Sequence, residues 1–346
     1  MGWIGSNAPR RRNTAIDSLR GLLVIAVILG HFAEVTDRAS FFTWLGTGFR
    51  MPLFIGLTGF LFSLERAREM PLPRLLRRYY DRLMLPWLVA LAVYLTTTHQ
   101  LDALTPFHVF VRPPYHFWFV PVMMAFIVAA ALTRRSPLFM LGLAIPASIA
   151  AMYVFGVGYA TQQPHAWMPD RRFFIFPIYF FYGLWVARRQ TDGSKLIAAA
   201  IVAPIGILWW CSLHGRPNLN AEVAASLLSS LALICLLPIV GGLSVSIPVI
   251  AGVGRNSLFF YLWHPMVLAM WSSAGFSGMS MLMLTLLSLF VVGTLIAGAG
   301  SVASIFGMTP RRFSPAVLPT AEVALAADAR FIDARFVDPA ESERAT

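Results

Sequence analysis

The sequence predicts an all-α, polytopic transmembrane bundle of about ten membrane-spanning helices, and three observations carry that prediction. Of the 346 residues, 58% are hydrophobic and only 12% charged. Soluble domains run near about 45–50% apolar and about 25% charged. Apolar stretch after apolar stretch reaches the roughly 20 residues a helix needs to cross the hydrocarbon core, and the mean hydropathy is +0.68. The basic residues fall in short groups between these stretches, the arrangement that membrane topology imposes. A formal charge of +11 therefore does not point to nucleic acid, which calls for a continuous basic stripe.

Taken in order, the spans are expected at about 16–36, 42–64, 83–100, 115–133, 137–158, 171–189, 195–213, 222–240, 249–272 and 279–305. Arg10, Arg11 and Arg12 precede the first run, and no small-residue cleavage site follows, so that run is expected to be retained. With the N-terminus inside, the inner flanks hold Arg10, Arg11, Arg12, Arg66, Arg68, Arg74, Arg77, Arg78, Arg82, Arg134, Arg135, Arg188, Arg189, Lys195, Arg311 and Arg312. The outer flanks hold Arg38, Arg50, Arg112, Arg171, Arg172 and Arg216, so sixteen stand against six. This bias puts both termini in the cytoplasm. Residues 1–13 read as a basic cytoplasmic lead, 14–305 as the membrane domain and 306–346 as a cytoplasmic tail. The tail loses its apolar period and is expected to be mostly disordered. Cys211 and Cys235 lie inside apolar runs and read as small buried side chains.

Ionisable groups inside membrane helices are costly and mark function. The first span carries four: Asp17, Arg20, His31 and Glu34. At about 100° per residue all four fall within an arc of about 100°. That face cannot point at lipid. His31 lies about 16 Å beyond Arg20 along the axis, near the bilayer midplane. A His there is expected to stay neutral and accept a proton. Glu34, three residues on, is placed to bond the other ring nitrogen and to stabilise the ring once charged.

The segment Ile16-Asp17-Ser18-Leu19-Arg20-Gly21, with His31 eleven residues after the Arg, resembles the opening of the acyltransferase-3 family of membrane acyltransferases. Met51-Pro52-Leu53-Phe54 with Thr58-Gly59 is similar to that family's second-helix motif, where Ser-Gly is commoner. Arg82-Leu83 with Pro86, Phe117-Trp118-Phe119, and Asn256-Ser257 with Tyr261 and His264 resemble later motifs. The resemblance covers roughly 14–305. One departure is the spacing before the third helix. The family often has a basic residue and an Arg three apart, whereas Arg78 and Arg82 are four apart with Asp81 between them.

The resemblance implies transfer of an acyl group, most often acetyl, from cytoplasmic acyl-CoA to a hydroxyl of a carbohydrate or other envelope acceptor. It also implies a bacterial inner-membrane location. His31 is then the expected base, Glu34 its orienting acid, and Arg20 a group that neutralises developing charge or holds a phosphate. Arg78, Arg82 and Asp17 are the expected contacts to the donor. The six arginines between Arg66 and Arg82 suit phosphates, because the guanidinium fork bonds them bidentately. They also suit topological anchoring and lipid headgroups.

Arg50 lies well inside the second span and is expected to pair with Glu34 or with substrate. Trp118 is either an interfacial anchor or a platform for a sugar ring; His116 sits beside it. Ser257, Tyr261 and His264 share one helical face and are expected either to line a substrate cavity or to form a packed polar network. Asp170, Arg171 and Arg172 either meet a polar acceptor or end a helix. Acyl-CoA is expected as a donor substrate and not as a resident cofactor, and no motif argues for a metal. The rival expectation is a multi-pass transporter or exporter with His31 and Glu34 relaying protons. A third is a scaffold that docks through its tail.

Overall fold

A computed structural model describes residues 13–36, 41–99, 109–158, 168–190, 192–244 and 247–309. Among them every regular element is helical. The expectations that rest on 1–12 and on 310–346, the basic lead and most of the tail, lie outside the described residues.

Helix α1 (Thr14–Val35) starts where the Asn13 side chain accepts from the Ile16 amide at 3.1 Å. The same side chain donates to the Gly241 carbonyl. Helix α2 (Phe41–Leu61) carries Pro52 and Arg50. Then come α3 (Leu64–Glu69), α4 (Leu72–Tyr79), a π turn (Tyr80–Met84) and α5 (Leu85–Thr97). Helices α6 (Phe119–Leu132) and α7 (Pro137–Phe155) follow. A break at Phe176 divides the sixth apolar run into α8 (Arg172–Ile175) and α9 (Pro177–Val186). Helix α10 (Gly193–Ser212) precedes α11 (Leu219–Cys235) and α12 (Leu237–Gly242). The rest is α13 (Pro248–Arg255), α14 (Ser257–Ser273), α15 (Gly278–Ala297) and α16 (Val302–Ile305).

Five helical stretches are long and apolar enough to cross a membrane: Thr14–Val35, Pro137–Phe155, Gly193–Ser212, Leu219–Gly242 and Gly278–Ala297. Phe119–Leu132 and Arg172–Val186 are shorter apolar helices. Helix α2 has the length, at 21 residues, but its Gly, Thr and Arg content dilutes its apolar character. The ninth expected span is broken: Asn256, at φ −109 and ψ 27, separates α13 from α14. The tenth ends at Ala297 instead of continuing to 305. At the start of the expected tail, Phe306 accepts from the Trp263 indole at 3.2 Å and Met308 is buried.

Close backbone contacts centre the bundle on α1 and α2. A Cβ on Gly254 would sit 1.8 Å from the Asp17 carbonyl oxygen, and one on Gly21 2.1 Å from that of Ile250. Helices α1 and α13 therefore touch main chain to main chain. Gly59 and Gly183 do the same for α2 and α9, each within 2.0 Å of the facing carbonyl oxygen. Small residues at membrane-helix crossings permit this approach. On the other side of α2, Trp44 and Trp210 stack at 4.5 Å, and each indole donates to the other's carbonyl, at 3.2 and 3.0 Å. The outer helices present apolar side chains: Ile197 and Leu208 on α10, Leu287 and Leu295 on α15. Outside the spans, Arg188 clasps both carboxylate oxygens of Glu65, at 2.7 and 2.9 Å. This guanidinium holds the Glu65 carboxyl below the usual carboxylate range.

Candidate active site

Helix α1 runs 22 residues without a break, so the angular relation among its polar groups survives in three dimensions. His31 Nδ1 meets Glu34 Oε2 at 2.8 Å. Since a carboxylate accepts, Nδ1 carries the hydrogen and Nε2 is left to accept a proton. The imidazole lines a cavity and does not face lipid. Its side chain is 23% exposed and that of Glu34 53%, so the pair is wetter than a midplane position suggested.

Two more imidazoles stand against His31. The His264 ring lies 5.2 Å away and the His116 ring 6.0 Å away, with 5.5 Å between those two. His264 is fully buried. Its Nδ1 donates to the Phe260 carbonyl at 3.0 Å, and its Nε2 has no hydrogen-bond partner. His116 is buried in the turn before α6, where Tyr261 donates its hydroxyl to the His116 carbonyl. Its Nε2 is 3.4 Å from the Leu262 carbonyl. Among the described residues no such group is arranged to hold a metal ion.

The face of α1 borders two cavities. The one at the Glu34 end holds about 250 Å³ and is lined by His31, Glu34, Arg50, Trp118, Arg171, Arg172, Tyr179, Ser226 and Tyr261, among others. The one at the Arg20 end holds about 490 Å³. Arg20, Thr58, Tyr79, Asp81, Arg82, Arg255, Ser257 and Tyr261 supply its polar lining, and Phe54, Phe119, Met123 and Ile127 part of its apolar wall. Tyr261 lines both cavities.

The expected residues thus divide. His31, Glu34, Arg50 and Trp118 share the first cavity; Arg20, Arg82 and Ser257 share the second. Arg78 is exposed on α4 and lines neither. Asp17 is buried where α1 meets α13 and also lines neither. His264, on the same helical face as Ser257 and Tyr261, sits behind His31 instead of in a cavity wall. The extra residue between Arg78 and Arg82 coincides with the π turn Tyr80–Met84, a local widening common at functional sites. Trp118 is 5% exposed, with Arg172 4.6 Å from its ring centroid and Phe176 at 5.4 Å. It holds a guanidinium more directly than it offers an open face.

Arg50 crosses α1 in a gap made by Gly30. Its Nη1 donates to the Ala26 carbonyl at 3.0 Å, and a Cβ on Gly30 would lie 1.8 Å from that nitrogen. Tyr179, Ser226 and the position of His116 were not foreseen from the sequence.

A family model described as an acyltransferase domain matches residues 13–304. No curated protein and no solved structure matches the chain.

Proposed function

The chain belongs to the acyltransferase-3 family, and from that premise we propose that it moves an acyl group, acetyl in the first instance, from acyl-CoA to a hydroxyl of a carbohydrate or other envelope acceptor. The observation that carries this reading is the His31–Glu34 pair at 2.8 Å, facing a cavity, with a second, cation-lined cavity reaching the same Tyr261 wall.

The step balances on His31 alone. Nε2 takes the acceptor hydroxyl's proton as the oxygen attacks the thioester carbonyl carbon. The tetrahedral intermediate collapses, the carbon–sulfur bond breaks, and the leaving thiolate takes the proton back from the imidazolium. The products are an ester and the free thiol of coenzyme A. Glu34 keeps hydrogen on Nδ1 and stabilises the transient imidazolium. General-base catalysis supplies about 10²–10⁴-fold, and positioning supplies much of the rest. Arg20, Arg82 and Arg255 suit the donor's phosphates, while the apolar wall of the larger cavity suits its extended arm. Tyr261, shared by both cavities, is where thioester and hydroxyl would meet. The positive-inside bias supports a bacterial inner-membrane protein with the Arg-rich loop cytoplasmic.

Two cavities parted by one tyrosine also suit a transporter, so the test separates the two. Purified protein in lipid should release thiol from acetyl-CoA, and release should rise when an acceptor is supplied. A transporter would leave the thioester intact, and that result would overturn the proposal.

A further inference from the structure

Three guanidiniums converge on the smaller cavity from separate places in the fold: Arg50 from α2, and Arg171 and Arg172 from the start of α8. They lie toward the opposite end of α1 from the Arg-rich 66–82 loop, so topological anchoring does not account for them. Each is fixed. Arg50 is 9% exposed and fills the gap left by Gly30. Arg172 bonds Asp170 Oδ2 at 2.9 Å and stacks on Trp118, and its own amide donates to Asp170 Oδ1 at 2.9 Å. A guanidinium held this way keeps little rotamer freedom to lose on binding.

The charges do not cancel. Among these residues three arginines face two carboxylates, Glu34 and Asp170, which leaves one positive charge. Glu34 lies in electrostatic range of both Arg50 and Arg172, but its Oε2 is committed to His31. Asp170 is buried behind Arg172 and is not part of the lining. A surplus cation in a low-dielectric wall attracts an anion. The volume, about 250 Å³, sits just below the about 300–1,000 Å³ of typical ligand cavities. That is room for one ring and a charged substituent, and too little for a nucleotide.

We propose that the acceptor is anionic, its carboxylate or phosphate seated against Arg171 and Arg172 while its hydroxyl meets His31 Nε2. This rests on the transferase reading for the identity of the ligand as an acceptor, and the experiment reads the two ideas apart. Tyr179 and Ser226, on the same wall, offer hydroxyls to the remaining ring.

The test uses the full chain in neutral-lipid nanodiscs and three ring-matched probes: methyl glucoside, methyl glucuronide and methyl glucoside 6-phosphate. Binding is titrated by saturation-transfer NMR at low and high salt. Both or either of the anions should bind about tenfold or more tighter than the neutral sugar at low salt, the size of a charge-assisted bond. That preference should shrink at high salt. Whichever anion binds tighter names the group. Arg171→Gln should abolish the preference while leaving the weak neutral binding, and Arg171→Lys should keep most of it. Equal binding of the three probes, or no binding by any, overturns the proposal. So does a preference untouched by Arg171→Gln. Repeating the titration in discs containing phosphatidylglycerol checks the remaining source of phosphate. Loss of the sugar anions there would assign the cavity to a lipid headgroup and overturn the acceptor. Thiol release from acetyl-CoA is recorded on the same discs. Release without anion preference removes this inference alone, and anion preference without release removes the transferase reading.

Discussion

At the residue scale the chemistry turns on which nitrogen of His31 is free. Glu34 Oε2 at 2.8 Å from Nδ1 fixes the tautomer and aims Nε2 at the cavity. Glu34 is half exposed, so water competes for it and it orients less firmly than a buried acid would. Its charge still matters, because the imidazolium forms only during the reaction. Glu34→Gln keeps a bond to Nδ1 but removes the charge. The expected result is a fall of about 10–100-fold in kcat, the worth of a charge-assisted bond of about 1.5–3 kcal/mol, with the KM for donor little changed. Steady-state assays on the variant check this; an unchanged kcat would remove Glu34 from the mechanism. His264 and His116 stand behind His31 and hydrogen-bond to main-chain carbonyls, which makes them supports for its position and not members of the reacting set.

At the element scale, α2 is the spine that holds the site. Its first half is fixed to α10 by the Trp44–Trp210 exchange of hydrogen bonds, and its second half lies main chain to main chain against α9. Arg50 and Thr58 therefore reach the two cavities from one rigid rod. A Cβ at Gly183 would sit 2.0 Å from the Gly56 carbonyl oxygen, and backbone cannot yield as a side chain can. Gly183→Val should cost about 1–3 kcal/mol or more and lower the melting temperature in detergent. Gly142→Ala, in α7 with nothing within 4 Å of the new methyl, should be neutral or slightly stabilising, since Ala favours helix by about 1 kcal/mol over Gly. Equal melting temperatures for the two variants would contradict the close crossing.

At the scale of the whole molecule, what was legible followed continuity of helix. The four polar groups of α1 could be aligned by counting because no residue between Thr14 and Val35 breaks the period. The same counting misplaced His264. It put Ser257, Tyr261 and His264 on one face correctly, but a face alone does not tell a cavity wall from the packed layer behind it. His116 was beyond the method. It lies in a turn after Tyr115, which has φ 51, and no helical period carries across such backbone. The break at Asn256 was hidden by an apolar run that reads equally well as one helix. The two-cavity plan was also hidden, because it depends on Tyr261 from α14 standing between side chains of α1, α2 and α8. Membership in the acyltransferase-3 family was legible from the Arg20-to-His31 spacing and the short motifs that follow it.

The account stands or falls on His31 Nε2 as the base. The most direct measurement is acetyl transfer from labelled acetyl-CoA in membranes carrying His31→Ala, with protein amount and fold matched to the unaltered chain. Transfer should fall by at least about 10²-fold, the low end of what a general base supplies. Transfer at the unaltered rate would contradict the mechanism, whatever else the cavities bind.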